Sequence, residues 1–295
     1  MSSGLAPANG IHIAYETYGD PADTPLLLVM GLGAQLIAWP IDMVHAFADR
    51  GFFVVRYDNR DVGLSTKLAD VGNDFLATFM RAASGDPVTV AYRLSDMAAD
   101  GIALLDYLGI ASAHVAGASM GGMIAQTMAI EYPTRVRSLT SIMSTTGEPE
   151  VGAPTAEAMA VLLRPVGTTR QEAIDASVDG SRVIGSPAFF DEAVVRTRAA
   201  AAYDRCYHPA GVARQLLAIA ASGSRAEGLA QLNVPTLVIH GDLDPLIGVS
   251  GGKRTAELIP GARLLVIEGM GHDMAAPVVP QVVAAVTALA SRTRG

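Results

Sequence analysis

Cysteine is almost absent: Cys206 stands alone in 295 residues. No internal disulfide can staple the chain, which fits a reducing compartment, and the lone thiol reads as a small buried side chain. Basic residues are scarce too, with 21 Lys and Arg against 29 Asp and Glu, a net charge of -8, and no cationic cluster. Affinity for a phosphate backbone draws on clustered Lys and Arg, so nucleic acid is excluded as the expected partner. The longest apolar run, PLLLVMGLGAQLIAW, has about 15 residues and two internal glycines, short of a bilayer span. The N-terminal MSSGLAPANGIHIAYETYG has neither the basic start nor the apolar centre of a secretory signal. The six histidines are scattered, none beside another His, Cys or carboxylate at ligand spacing on one element, so neither a metal nor a cofactor is expected. The expectation is a soluble, cytoplasmic protein that handles a small molecule.

What is present is apolar and alternating. Half of the residues are hydrophobic, enough for a sizeable core. Short Val, Ile and Leu runs recur as PLLLVMG, FFVVRYD, SAHVAGA, SLTSIMS, PTLVIHG and ARLLVIEG, continuous as in strands of a parallel sheet buried on both faces. IHIAYETYG alternates instead, which points to an edge strand. Helix-period segments lie between the runs and often end at Gly or Pro, so the fold class is α/β with a sheet covered on both sides. From about residue 146 to 226 the alternation stops. Helical stretches such as TAEAMAVLLR, TRQEAIDASV and HPAGVARQLLAIAA replace it, predicting a helical cap over 146–226 inserted into a core of 1–145 and 227–295.

Residues 114–128, HVAGASMGGMIAQTM, place Ser119 between Gly117 and Gly121 where a strand pattern turns helical. A G-x-S-x-G pattern is short enough to arise by chance, and Gly248, Ser250 and Gly252 repeat it. Context separates them. A serine hydroxyl is a weak nucleophile that needs a base and a sharp strand-to-helix turn to present it. Ser119 sits at such a junction, with Gly117 and Gly121 relieving the crowded crossing and Gly122 letting the helix approach the sheet. Ser250 follows no strand directly and reads as a helix N-cap.

In a strand-serine-helix arrangement the acid and then the histidine follow the serine, in loops after later strands. His208, His240 and His272 follow Ser119. His272, in GMGHD after the last strand, is the expected general base, His240 reads as a structural histidine and His208 as the start of a helix. Asp242 and Asp244 both follow PTLVIHG. Asp244 is favoured for holding the imidazole, because the loop must rise before a carboxylate can reach back.

Two backbone donors for a developing oxyanion are expected from Met120, after the serine, and Leu32, in the loop opened by Gly31 and Gly33. Gly31 and Trp39 are candidates for the substrate wall, with core packing the competing role for Trp39. The same loop admits a dinucleotide reading, with Asp58 as ribose ligand, but Leu36 occupies the position of the third glycine.

GASMGG, VIHGDLDPL and GMGHD together resemble the α/β-hydrolase fold superfamily from about Gly10 to Ala290. LLLVMGLGAQLIAWP and VVRYDNRDVGLST resemble more narrowly the aclacinomycin methylesterase-like esterases and related bacterial lipases and esterases. Met30 departs from the wider pattern, which often has histidine before the oxyanion glycine. The resemblance implies an eight-stranded, mostly parallel sheet with a cap after the sixth strand, but no substrate, since one fold hosts many chemistries. The ordered serine, acid and histidine with both oxyanion loops predict a serine esterase, and the Ala, Leu, Met, Val and Phe residues of 146–226 point to a small to medium apolar substrate. A thioesterase or lactonase, a carbon–carbon bond hydrolase, a haloperoxidase or perhydrolase, and a ligand-binding member without activity are the alternatives. Serine at position 119, where dehalogenases and epoxide hydrolases carry aspartate, argues against those two. Between residues 146 and 226 eight Arg and no Lys face nine Asp and Glu, a balance that points to no charged substrate.

Overall fold

The computed structural model describes residues 1–69, 72, 74–164 and 167–292. Eight segments pair into one sheet: β1 (Ser2–Ala8), β2 (Ile11–Tyr18), β3 (Thr24–Val29), β4 (Phe52–Tyr57), β5 (Ala113–Ala118), β6 (Val136–Ile142), β7 (Thr236–Gly241) and β8 (Arg263–Ile267). Their spatial order is β1-β2-β4-β3-β5-β6-β7-β8. Every neighbouring pair from β4 through β8 is parallel, and β2 runs antiparallel to both β4 and β1.

Continuous apolar runs become strands buried on both faces because successive side chains alternate sides. In β3, Leu27 and Val29 join one core cluster, whereas Leu26 and Leu28 join the other. The helices are α1 (Ile41–Ala48), α2 (Phe75–Ala83), α3 (Leu94–Tyr107), α4 (Met120–Glu131), α5 (Ala156–Leu162), α6 (Arg170–Ile184), α7 (Glu192–Arg205), α8 (Pro209–Ser222), α9 (Ala226–Ala230), α10 (Val249–Leu258) and α11 (Val279–Ser291), of which α1, α3, α4, α10 and α11 pack on the strands. Met97 and Leu105 of α3 pack with Ile124 and Met128 of α4 beneath Leu27 and Val115. On the opposite face Met43, Val44 and Phe47 of α1 meet Val282 and Val286 of α11.

Two strand expectations need correction. The alternating β2 is not an edge, because Ser2–Ala8 pairs along its whole length; SSGLAPA has little of the β-branched or aromatic character that marks a strand in sequence. The true far edge is β8, where Leu264 and Val266 are each 39% exposed despite the apolar run. An outermost strand has one neighbour and incomplete cover.

All five helices α5–α9 fall between β6 and β7, and no strand occurs among the described residues there. Their starts follow local chemistry: Thr155 and Asp191 cap α5 and α7 through their side chains, Thr169 and Glu172 form a capping box on α6, and Pro209 opens α8.

Parallel strands place their carboxyl ends on one edge of the sheet. The segments after β3, β5, β7 and β8, which carry Leu32, Ser119, Asp244 and His272, therefore converge there.

Candidate active site

Ser119 lies at the end of β5 with φ 58° and ψ -123°, a left-handed conformation that costs a non-glycine residue energy and persists only when its surroundings enforce it. The enforcement is steric. A methyl group on Gly117 would overlap the Gly121 carbonyl, and one on Gly121 would overlap the Val29 carbonyl. With both glycines, α4 starts directly against β3 and β5. Ser119 is the N-cap residue of α4, yet its side chain makes no capping bond. Its Oγ lies 2.9 Å from His272 Nε2 instead.

The imidazole is held from its other side, Nδ1 lying 2.7 Å from Asp244 Oδ2. Asp244 is anchored in turn by the amides of Leu246 and Ile247, both donating to Oδ1 at 2.9 Å, and its side chain is fully buried. Those donors leave Oδ2 to the imidazole. Asp242 points elsewhere, accepting the Gly269 amide at 2.7 Å on the surface, so Asp244 is the carboxylate that meets the histidine.

His240 is fully buried beside the same carboxylate. Its Nε2 lies 2.8 Å from the Ile247 carbonyl and 3.6 Å from Asp244 Oδ2. The ring donates from Nε2 to that carbonyl. Burial pushes its pKa down, outweighing the Ile247 bond and the nearby Asp244 charge, which keeps it a neutral donor. His208 is the N-cap residue of α8, and its Nε2 is 3.0 Å from the Arg214 guanidinium.

The loop after β3 abuts the serine: a methyl on Gly31 would lie 3.0 Å from Ser119 Cβ. Among the described residues the amides of Leu32 and Met120 make no hydrogen bond, whereas the Gly33 amide is taken by Gln215 Oε1 at 2.8 Å. Met120 is also the first residue of α4, where unpaired N–H groups and the helix dipole favour negative charge. Asp58, the ribose ligand of the dinucleotide reading, is wholly buried and ties down loops, accepting the Leu36 and Leu64 amides at 2.7 and 2.8 Å and pairing with Arg205 at 2.7 Å. Asn59 donates to the Met30 carbonyl at 2.8 Å, so the methionine in place of histidine leaves this part of the loop bonded through its backbone.

Two side chains fall outside the roles expected for them. Trp39 has no exposed surface and packs with Met43 and Phe47 in the core, which removes it from a substrate wall; the loop turns back into α1 there, and the indole fills the space beneath. Ser250 is not an N-cap. Gly248 is, and Ser250, the second residue of α10, accepts the Gly152 amide at 2.9 Å.

Sequence reasoning missed Ser186 and Gln215. Ser186 is fully buried and joins the histidine loop: its hydroxyl donates to Asp273 and accepts from the Gly271 amide at 2.9 Å. Ser186 lies in the turn after α6 and Gln215 within α8, neither in a motif, and only their contacts across 85 residues for Ser186 and 182 for Gln215 mark them.

No group of three or more His, Cys, Asp or Glu residues able to hold a metal occurs among the described residues, and none of their helices is long and apolar enough to cross a membrane.

With a strained serine, an imidazole and a carboxylate gathered at one edge of a mostly parallel sheet, the molecule has the architecture of a hydrolase. The alpha/beta hydrolase fold model matches residues 24–275, and the chain belongs to that family. Relatives include the rhodomycin D methylesterase of Streptomyces sp. strain C5, 31% identical over 92% of this chain and 93% of the relative. The 3-oxoadipate enol-lactonase 2 of Acinetobacter baylyi is 30% identical over 88% of this chain and 86% of its own length. A meta-cleavage product hydrolase from Pseudomonas fluorescens superposes with a TM-score of 0.78 at 19% identity, covering 99% of this chain and 98% of the other, a likeness of fold. Within the family the chain is a carboxylic ester hydrolase.

Proposed function

We propose that the protein is a serine esterase working through Ser119, His272 and Asp244, and that its substrate is the methyl ester of an apolar carboxylic acid. The hydrogen-bonded relay carries the reading: Ser119 Oγ to His272 Nε2 at 2.9 Å, and His272 Nδ1 to Asp244 at 2.7 Å. His272 Nε2 takes the hydroxyl proton as Oγ attacks the ester carbonyl, while Asp244 stabilises the imidazolium that forms. The amides of Leu32 and Met120 hold the oxyanion. Collapse expels the alcohol, which leaves with the proton from His272. Water, deprotonated by the same imidazole, then releases the acid and restores Ser119.

The methyl-ester preference draws on the methylesterase relative, and the apolar acid on the Ala, Leu, Met, Val and Phe residues of 146–226, a segment of nearly balanced charge that we read as a cap over this edge of the sheet. The 30% identity to an enol-lactonase supports a second reading, lactone opening by the same groups. A panel of methyl, butyl and octyl esters, lactones, acyl thioesters and peracid assays distinguishes them. Fluorophosphonate labelling tests the nucleophile: Ser119→Ala should abolish it, and equal labelling of variant and wild type would refute the assignment.

A further inference from the structure

The loops carrying the proposed base and oxyanion donor are each bonded to the helical segment between β6 and β7. On the histidine side, the turn that ends α6 forms a clamp. The Ile184 carbonyl accepts the His272 amide at 2.7 Å. Ser186 Oγ accepts the Gly271 amide at 2.9 Å and donates to Asp273 Oδ1, which also accepts the Ser186 amide at 3.2 Å. Thus the residues on either side of His272 and its own amide are held by two residues of one turn, Ile184 and Ser186. The fit is close enough that a methyl on Gly271 would overlap the backbone of Gly185.

On the opposite side, Gln215 of α8 has no exposed surface. Its Oε1 accepts the Gly33 amide at 2.8 Å and its Nε2 donates to the Arg60 carbonyl at 2.8 Å. That bond occupies the amide next to Leu32 and leaves the Leu32 amide free. A buried side chain whose acceptor and donor are both spent on loop backbone sets the position of that loop.

We infer that Ser186 and Gln215 are positioning residues: the segment between β6 and β7 aligns the histidine and oxyanion loops, in addition to covering the site. Neither side chain needs to touch substrate. Chemistry of this kind is sensitive to small displacements, a misplacement of about 1 Å costing on the order of a hundredfold in rate. The inference rests on the proposed roles of Ser119, His272 and Leu32.

The test uses Ser186→Cys, nearly isosteric but a weak hydrogen-bonding group, and Gln215→Met, assayed well below their melting temperatures. Each should lower kcat roughly ten- to a hundredfold with KM little changed. The rate of fluorophosphonate labelling should fall in parallel, since it reads the serine and histidine without ester binding. A double-mutant cycle separates positioning from general weakening. Ser186→Cys with Asp273→Ala should lose no more than the worse single variant, because both break one clamp. Ser186→Cys with Gln215→Met should lose the product of the two, because they serve different loops. Wild-type kcat and labelling in both single variants, or a lowered Tm with kcat intact, would overturn the inference. It fails separately from the nucleophile assignment, which is lost only if Ser119→Ala labels like wild type.

Discussion

Removing Arg214 should destabilise the protein more than any surface charge deletion. Its guanidinium meets Asp61 through two contacts, Nε to Oδ2 and Nη2 to Oδ1, both 2.9 Å. The side chains are 7% and 0% exposed, and they join α8 to the loop after β4 across 153 residues. Arg214→Met keeps the apolar volume but strands a buried carboxylate, a change that costs about 3–5 kcal/mol and on the order of 10 °C in Tm for a chain of this size. Adding Asp61→Asn should restore most of that loss. Asn suits the site because Asp61 has φ 71°, a conformation Asn tolerates. The sign of the pH effect follows from Asp61. Burial alone pushes its pKa up, but the hydrogen bonds from Arg214 and the Leu68 amide outweigh that and hold it below the usual carboxylate value. Its contribution is therefore present above the unfolded value of about 4 and is lost as pH falls through the lower folded one. Thermal melts followed by circular dichroism at pH 7, in low and 1 M salt, check the magnitude; a buried pair should respond little to salt. An Arg214→Met variant that melts with wild type, or a double variant that recovers nothing, would refute the reasoning.

Asp244→Asn should lower kcat by about four orders of magnitude if the carboxylate acts as its counterpart does in the serine protease triad. Asp242→Asn should leave turnover nearly unchanged, and the two kcat values decide between the carboxylates. His240 supplies a second pH effect. Because burial holds its pKa below the unfolded value of about 6.5, the unfolded chain takes up the proton first, so stability should fall as pH drops below about 6.5 until the folded pKa is reached. His240→Gln, which keeps a donor toward Ile247, should flatten that part of a Tm-against-pH curve; an unchanged slope there would contradict a buried neutral imidazole.

The sequence by itself determined what depends on neighbouring residues. Apolar runs buried on both faces separate β3–β7 from the helices between them. Gly117 and Gly121 mark the turn at Ser119, because only hydrogen fits where β5 meets the Gly121 carbonyl of α4 and where α4 meets the Val29 carbonyl of β3. The order of Ser119, Asp244 and His272 along the chain is legible from strand ends. Tertiary structure decided whatever depends on residues far apart. Asp244 rather than Asp242 meets His272, since the rise of one loop settles which carboxylate reaches the ring. β2 is internal only because SSGLAPA, unremarkable in composition, pairs beside it. Trp39 belongs to the core because the chain turns back into α1. Asp61–Arg214, Gln215–Gly33 and Ser186–Gly271 join segments with no local pattern linking them. A side chain's spacing along its own element reports which face it occupies; which group stands opposite is set by the packing of the whole chain.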